Sequence, residues 1–172
     1  VAFDSIINEL NSGKADFAAA GMSINPERSE KVDFSIEYIT SNQVVVVKED
    51  SDIKSIDDIK DKRISVQLGT VADTYVTKNY KDAKINRLKK FLVAAEDVKN
   101  NKSDCIVMDA IPANELVKSN PELKVLDGIL FQDKYGMAVK KGNKELLNSI
   151  NLVLEELIKD GKIDEYIIKF SE

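Results

Sequence analysis

Leu10-Asn11-Ser12-Gly13-Lys14-Ala15-Asp16-Phe17-Ala18-Ala19-Ala20-Gly21-Met22 is the stretch from which the fold can be read. Just before and into it, Phe3, Ile6, Ile7 and Leu10 recur at the spacing of one helix face. Gly13 suits the left-handed position that stops a helix. Phe17 to Ala20 then reads as a short buried strand ending at Gly21-Met22. Asn25-Pro26-Glu27-Arg28 opens a new helical turn, with Asn25 as cap and Pro26 at the first helical position. The same succession of helix, left-handed stop, Lys-x-Asp and strand returns in Val98-Lys99-Asn100-Asn101-Lys102-Ser103-Asp104, leading to Met108-Asp109. Gly13 and Asn101 hold the same place, and these residue types tolerate positive φ best. The echo is either the general likeness of any two αβ units or the mark of two similar lobes. The second reading predicts that each lobe offers the end of such a strand to a shared cleft.

Outward from there, the chain keeps alternating. Gln43 to Lys48 is almost wholly valine, which predicts a central strand covered on both faces. Arg63 to Gln67, Ile85 to Leu88, Cys105 to Met108, Leu123 to Leu126 and Tyr135 to Val139 read as further strands. Val71 to Asn79, Ala94 to Asn101, Ile111 to Lys118, Glu145 to Lys159 and Ile163 to Phe170 read as helices, with Gly161 between the last two. The pattern predicts an α/β fold whose sheets are mostly parallel, with flanking helices.

Composition narrows the function classes. The 172 residues are 43% hydrophobic and 32% charged, which fits a folded globular chain long enough to bury a core without staples. The net charge of −5 argues against nucleic-acid binding, which usually brings a basic face. Aliphatic runs such as Val44 to Val47 fall far short of the ~20 residues of a transmembrane helix. With no histidine, Ser-His and Cys-His catalysis and His-ligated metals are ruled out. One cysteine allows neither an internal disulfide nor a thiolate zinc cluster, so no metal and no cofactor is expected. Cys105, in an apolar strand, reads as a core thiol. The charged residues between Lys48 and Lys62 read as solvated faces.

Ligands of open α/β sheets sit beyond the carboxyl ends of strands, near helix N-termini. Gly21-Met22-Ser23 with Arg28, Gln67-Leu68-Gly69-Thr70, and Asp109 occupy such places. Arg28 is one of three arginines, with Arg63 and Arg87, in a chain otherwise served by lysine. Its planar fork can hold a carboxylate through two parallel hydrogen bonds, which lysine cannot. Each residue has a plainer role available. Arg28 could be an exposed helix residue paired with Glu27, Glu30 or Asp33, and Thr70 with Asp73 fits a capping box. Asp109 could cap a helix that Pro112 helps to start, and Gly69 could relieve a tight turn. Together, however, Arg28, Thr70, Ser23 and Asp109 match the two charged groups of a free amino acid, and burying a zwitterion requires a partner for each.

Ala20-Gly21-Met22-Ser23-Ile24-Asn25-Pro26-Glu27-Arg28, running on to Val32-Asp33-Phe34-Ser35, resembles the signature segment of the polar amino acid-binding proteins of ABC transporters, the family 3 solute-binding proteins. The likeness continues through Ile56 to Thr70, Asp104 to Asp109, Tyr135 to Asn143 and the helix Leu146 to Lys159, essentially the whole chain. It implies two α/β lobes of the type II periplasmic-binding-protein fold, joined by two crossing strands. Lobe 1 would be residues 1–48 plus 134–172, and lobe 2 residues 49–133. The resemblance further implies that Arg28, Ser23 and Thr70 bind the ligand carboxylate and Asp109 the ammonium. The backbone around Gly21 and Met22 would assist, and Gln67 and Gly69 would line the second lobe's side.

The implied partners are a free amino acid and the membrane permease of an importer, without enzymatic activity. The implied place is extracytoplasmic, whether periplasmic or lipid-anchored, although Val1-Ala2-Phe3-Asp4 shows no secretion signal. Sensor domains of membrane receptors or kinases and periplasmic dehydratases share the fold and stand as alternatives. Two departures matter. The family's usual Asp-Pro-Tyr-Tyr is replaced by Ile36-Glu37-Tyr38-Ile39, and its opening strand-helix-strand has no counterpart before Phe3. The expected consequence is an unpaired strand edge at Phe17 to Ala20, with either dimerisation through that edge or weak stability alone.

Overall fold

The structure is a computed structural model that describes residues 1–171. In chain order the elements are α1 (Ile6–Asn11), β1 (Phe17–Ala18), α2 (Pro26–Lys31), β2 (Val32–Phe34), β3 (Ile39–Lys48), β4 (Arg63–Gln67), α3 (Val71–Asn79) and β5 (Lys84–Leu88). There follow α4 (Phe91–Lys99), β6 (Cys105–Asp109), α5 (Ala110–Lys118), β7 (Leu123–Val125), β8 (Phe131–Tyr135), β9 (Ala138–Lys140), α6 (Lys144–Lys159) and α7 (Lys162–Ser171). The chain divides into two compact units: Val1–Ser41 with Asp133–Glu172, and Asn42–Gln132. Both boundaries fall inside strands, because β3 and β8 each carry the chain from one unit to the other. The expected lobe boundaries at residues 48 and 134 lie at the end of β3 and inside β8, the same two strands.

Unit 2 is built on the valine run. In β3, Val44, Val45, Val46 and Val47 lie opposite Met108, Val107, Ile106 and Cys105 of β6. Successive strand residues point to opposite faces, so the run feeds two cores. Val45 and Val47 join Ile64, Val66, Ala72 and Val76, beneath α3. Val44 and Val46 join Ala94, Ala95, Val98, Ala113 and Leu116, beneath α4 and α5. A strand covered on both faces has no use for polar residues, which is why the sequence does not alternate there.

The strand order is β5-β4-β6-β3-β7, with β8 against β3. β4 runs parallel to β5 and β6, but β3 runs antiparallel to β6 and β7. In unit 1, β9 lies between β1 and β2 and is antiparallel to both. The two-lobed α/β class therefore holds, while the sheet of unit 2 is mixed and the ladders of unit 1 are antiparallel, so neither is mostly parallel. A helix crossover imposes parallel direction, but β3 and β9 arrive from the other unit without one.

Unit 1 closes around Leu10, Ala18, Met22, Val32 and Ala138, flanked by Phe3, Ile6, Ile7 and Phe34. Gly13 has φ +73° and Asn101 has φ +57°, the latter being the one non-glycine residue at positive φ among those described, as the paired helix stops require. The expected strand Tyr135 to Val139 is two strands. Gly136 and Met137 leave the ladder to bond Met22 O (3.1 Å) and Ser35 Oγ (2.8 Å).

Asp33 ties the end of β9 to α6. Its carboxylate accepts from Lys144 Nζ and Gly142 N–H at 2.9 Å each, with Lys141 Nζ at 3.1 Å. The Lys144 ammonium first, then the Gly142 N–H, hold its pKa far below the usual carboxylate range. A depressed pKa stabilises the fold above the unfolded value of about 4 and ceases to do so as pH falls through the native value. Urea midpoints measured from pH 6 down to pH 2 should therefore fall less steeply in Asp33→Asn than in the unaltered chain. Parallel curves would mean that Asp33 is not a source of acid lability.

Candidate functional site

In unit 1 the site starts from a helix cap. Asn25 Oδ1 accepts the Arg28 N–H at 2.9 Å, and Pro26 occupies the first helical position. That cap fixes the direction in which α2 leaves the strand end and turns Arg28 inward. Its residue exposure is 8%, its Nη1 donates to Ser23 O at 2.9 Å, and its guanidinium carbon stands 5.5 Å from the Phe3 ring centroid. Burial pulls the Arg28 pKa down, and the nearby carboxylates of Asp133 and Glu27 push it back up.

The plainer role for Arg28 does not survive. It required an exposed helix residue, and Arg28 is buried.

Beside Arg28 lies a buried carboxylate that sequence reasoning missed. Asp133 Oδ2 accepts the Ser23 hydroxyl proton, and its Oδ1 accepts the Lys134 N–H at 2.9 Å. Asp133 and Ser23 are 110 positions apart, and nothing local in either segment signals their meeting. Because the Ser23 hydroxyl donates to Asp133, its oxygen presents lone pairs to anything that approaches, not a proton.

Gly21 has φ +56°, and a Cβ there would lie 3.2 Å from the Tyr135 ring. A side chain there would strain the backbone and crowd the ring. Met22, expected at the ligand, buries its side chain in the unit 1 core at 1% exposure, so only its backbone remains available to a ligand.

In unit 2, β4 ends at Gln67, whose Nε2 donates to Lys89 O at 3.1 Å, and Leu68 N–H donates to Leu88 O at 2.9 Å. Both bonds pin the Gln67-Leu68-Gly69-Thr70 turn to the strand beside it. Thr70 caps α3: its hydroxyl donates to Gln67 O at 2.8 Å and accepts the Asp73 N–H at 3.3 Å. The hydroxyl is consumed by the fold, so what this turn offers an anion is the positive end of α3 and its backbone N–H groups.

Asp109 ends β6 and caps α5, accepting the Ile111 N–H at 3.0 Å; its other oxygen takes Gln43 Nε2 at 3.3 Å. The capping role is therefore real. A carboxylate has about four acceptor positions, so capping and holding an ammonium are compatible. Gln43, missed in the sequence, lies opposite Asp109 in the β3–β6 register and is 3% exposed.

Cys105 is fully buried, and burial pushes its thiol pKa up, as a core thiol requires. Among the described residues no cluster of three His, Cys, Asp or Glu side chains could hold a metal.

An arginine buried on α2 in one unit, and a capped turn with a strand-end aspartate in the other, accompany the two-unit α/β architecture. The chain belongs to family 3 of the bacterial extracellular solute-binding proteins, which it matches over residues 1–172. The ABC transporter arginine-binding protein 1 of Escherichia coli is 36% identical over 165 residues, spanning 93% of this chain and 68% of that protein. A crystal structure of a variant of ArgBP from T. maritima superposes with a TM-score of 0.92 at 40% identity, covering 100% of this chain and 76% of that one. An ancestral amino acid-binding protein described as a precursor of cyclohexadienyl dehydratase gives a TM-score of 0.91 at 35% identity, covering 100% and 76%. The family is one of extracellular proteins, and no helix among the described residues is long and apolar enough to cross a membrane.

Proposed function

We propose that this chain captures a free amino acid as the extracytoplasmic binding subunit of an ABC importer and delivers it to a membrane permease. The observation that carries the reading is the buried Arg28, a fixed guanidinium on which a carboxylate can form two charge-assisted bonds. In this reading Arg28 and the N-terminus of α3 at Gly69-Thr70 take the ligand carboxylate, and Asp109 takes the ammonium. The backbone around Gly21 and Ser23 assists, and Gln67 borders the ligand. Basic amino acids are the first class to test, because an arginine-binding protein is among the relatives. No catalytic role is proposed: the chain has no histidine, and the similar protein related to a dehydratase is itself described as amino acid-binding.

A thermal-shift screen of the twenty amino acids tests this directly. A ligand at 100 times its Kd adds about 2.7 kcal/mol to the folded state, enough to raise Tm by several degrees. L-arginine, L-histidine or L-glutamine is expected to give the largest shift. No shift with any amino acid would sink the proposal.

We also propose that this chain either pairs with a second copy at β1 or is weakly stable alone. This two-residue strand is an edge of its sheet, and its Phe17 is 48% exposed. Sedimentation should show either a dimer or a chain of low stability. A stable, cooperative monomer would remove this interface.

A further inference from the structure

Arg87 takes no part in the site described so far. It stands on β5 opposite Val66 of β4 and reaches to α3. Its Nε donates to Asp73 Oδ1 at 2.8 Å, and its Nη2 donates to Thr77 Oγ1 at 2.8 Å. The Thr77 hydroxyl in turn donates to Asp73 O at 2.7 Å. Asp73 is 8% exposed, and its other oxygen, Oδ2, accepts the Gly69 N–H at 3.2 Å.

A fixed negative charge is thus lodged in the first turn of α3, bonded to the same turn that is proposed to receive the ligand carboxylate. As a cap it suits the helix dipole. As a neighbour of a second anion it is an obstacle, since like charges at short range in a partly buried setting repel by an amount comparable to a hydrogen bond. Arg87 approaches Asp73 from the β5 side, opposite the oxygen that holds Gly69, and offsets that charge without covering the turn.

We infer that Arg87 is a positioning residue for carboxylate recognition: through Asp73 it holds the Gly69-Thr70 turn and cancels the negative field a ligand carboxylate would meet there. The inference rests on the amino acid-binding reading above. Removing Arg87 takes the guanidinium away from the Asp73 carboxylate, which should weaken ligands that carry a carboxylate more than those that do not. Removing both charges should undo most of the loss.

The test is calorimetric titration of the unaltered chain, Arg87→Gln, Asp73→Asn and the double variant. Each is titrated with L-arginine, L-histidine and L-glutamine, and with their α-carboxamides, and urea midpoints are recorded alongside. Arg87→Gln should weaken the amino acid that binds by about tenfold and its amide by much less. Asp73→Asn should bind it no more weakly than the unaltered chain, and the double variant should return to within about threefold of it. Unchanged affinity in Arg87→Gln would overturn the inference while leaving the binding reading intact. So would equal losses for acid and amide, or a double variant as weak as the single one, since a mere structural brace behaves that way. If the unaltered chain binds none of the three amino acids, the binding reading fails, and the inference falls with it.

Discussion

Arg28→Ala should lower amino acid affinity by at least a hundredfold, about 3–5 kcal/mol. The ligand carboxylate would lose its fixed counter-charge in a place where water cannot replace it. Arg28→Lys should recover little of this, since an ammonium cannot present the planar fork. The same change has a second consequence. Asp133 is 9% exposed, and its field acts on the Arg28 guanidinium. Without Arg28 that carboxylate stays buried beside Ser23 with its cationic neighbour gone, and the fold should lose about 1–3 kcal/mol. Adding Asp133→Asn to Arg28→Ala should restore part of the stability and none of the affinity. Calorimetry and urea unfolding on the three variants separate the two effects. Near-normal affinity in Arg28→Ala would sink the assignment of the carboxylate to this residue.

Asp109→Ala should cost at least tenfold in affinity together with about 1 kcal/mol of stability. Two roles meet in this one side chain. Its Oδ1 caps α5 through the Ile111 N–H, and its charge stands at the end of β6, where an ammonium is proposed to bind. Asp109→Asn tells them apart. The asparagine oxygen still caps the helix, so unfolding midpoints should stay within about 0.5 kcal/mol of the unaltered chain. The charge is gone, so affinity should fall nearly as far as in the alanine variant. An asparagine variant that binds normally would leave Asp109 as a cap and nothing more.

Much of the fold is legible locally. The valine run Val44 to Val47 carries no polar residue because β3 feeds a core on each face, and that lack of alternation is visible without coordinates. Gly13 and Asn101 announce the two helix stops because few residues accept positive φ. Asn25, Pro26 and Thr70 mark helix starts by their own side-chain chemistry. The strand directions were not legible, since alternation of strands and helices says nothing about a strand that arrives from another unit.

The candidate site divides the same way. Arg28 stood out by its scarcity, and Gly69, Thr70 and Asp109 by their places at strand ends. Their real partners did not. Asp133 meets Ser23 only because β8 returns beside this segment: Ser23 bridges Tyr135, and Ile24 N–H bonds Lys134 O at 3.0 Å. Arg87 meets Asp73 only because β5 lies parallel to β4 with α3 packed nearby. Met22 was expected to lend its backbone to the ligand, and only the fold shows that its side chain belongs to the core.

Sequence alone determined most of the elements, their caps and the residue types proposed to hold an amino acid, because those depend on φ, on side-chain chemistry and on short spacings. Tertiary structure decided which charges are buried and what neutralises them. Burial and ion pairing are made by residues far apart in the chain, and only the packed strands bring them within hydrogen-bonding distance.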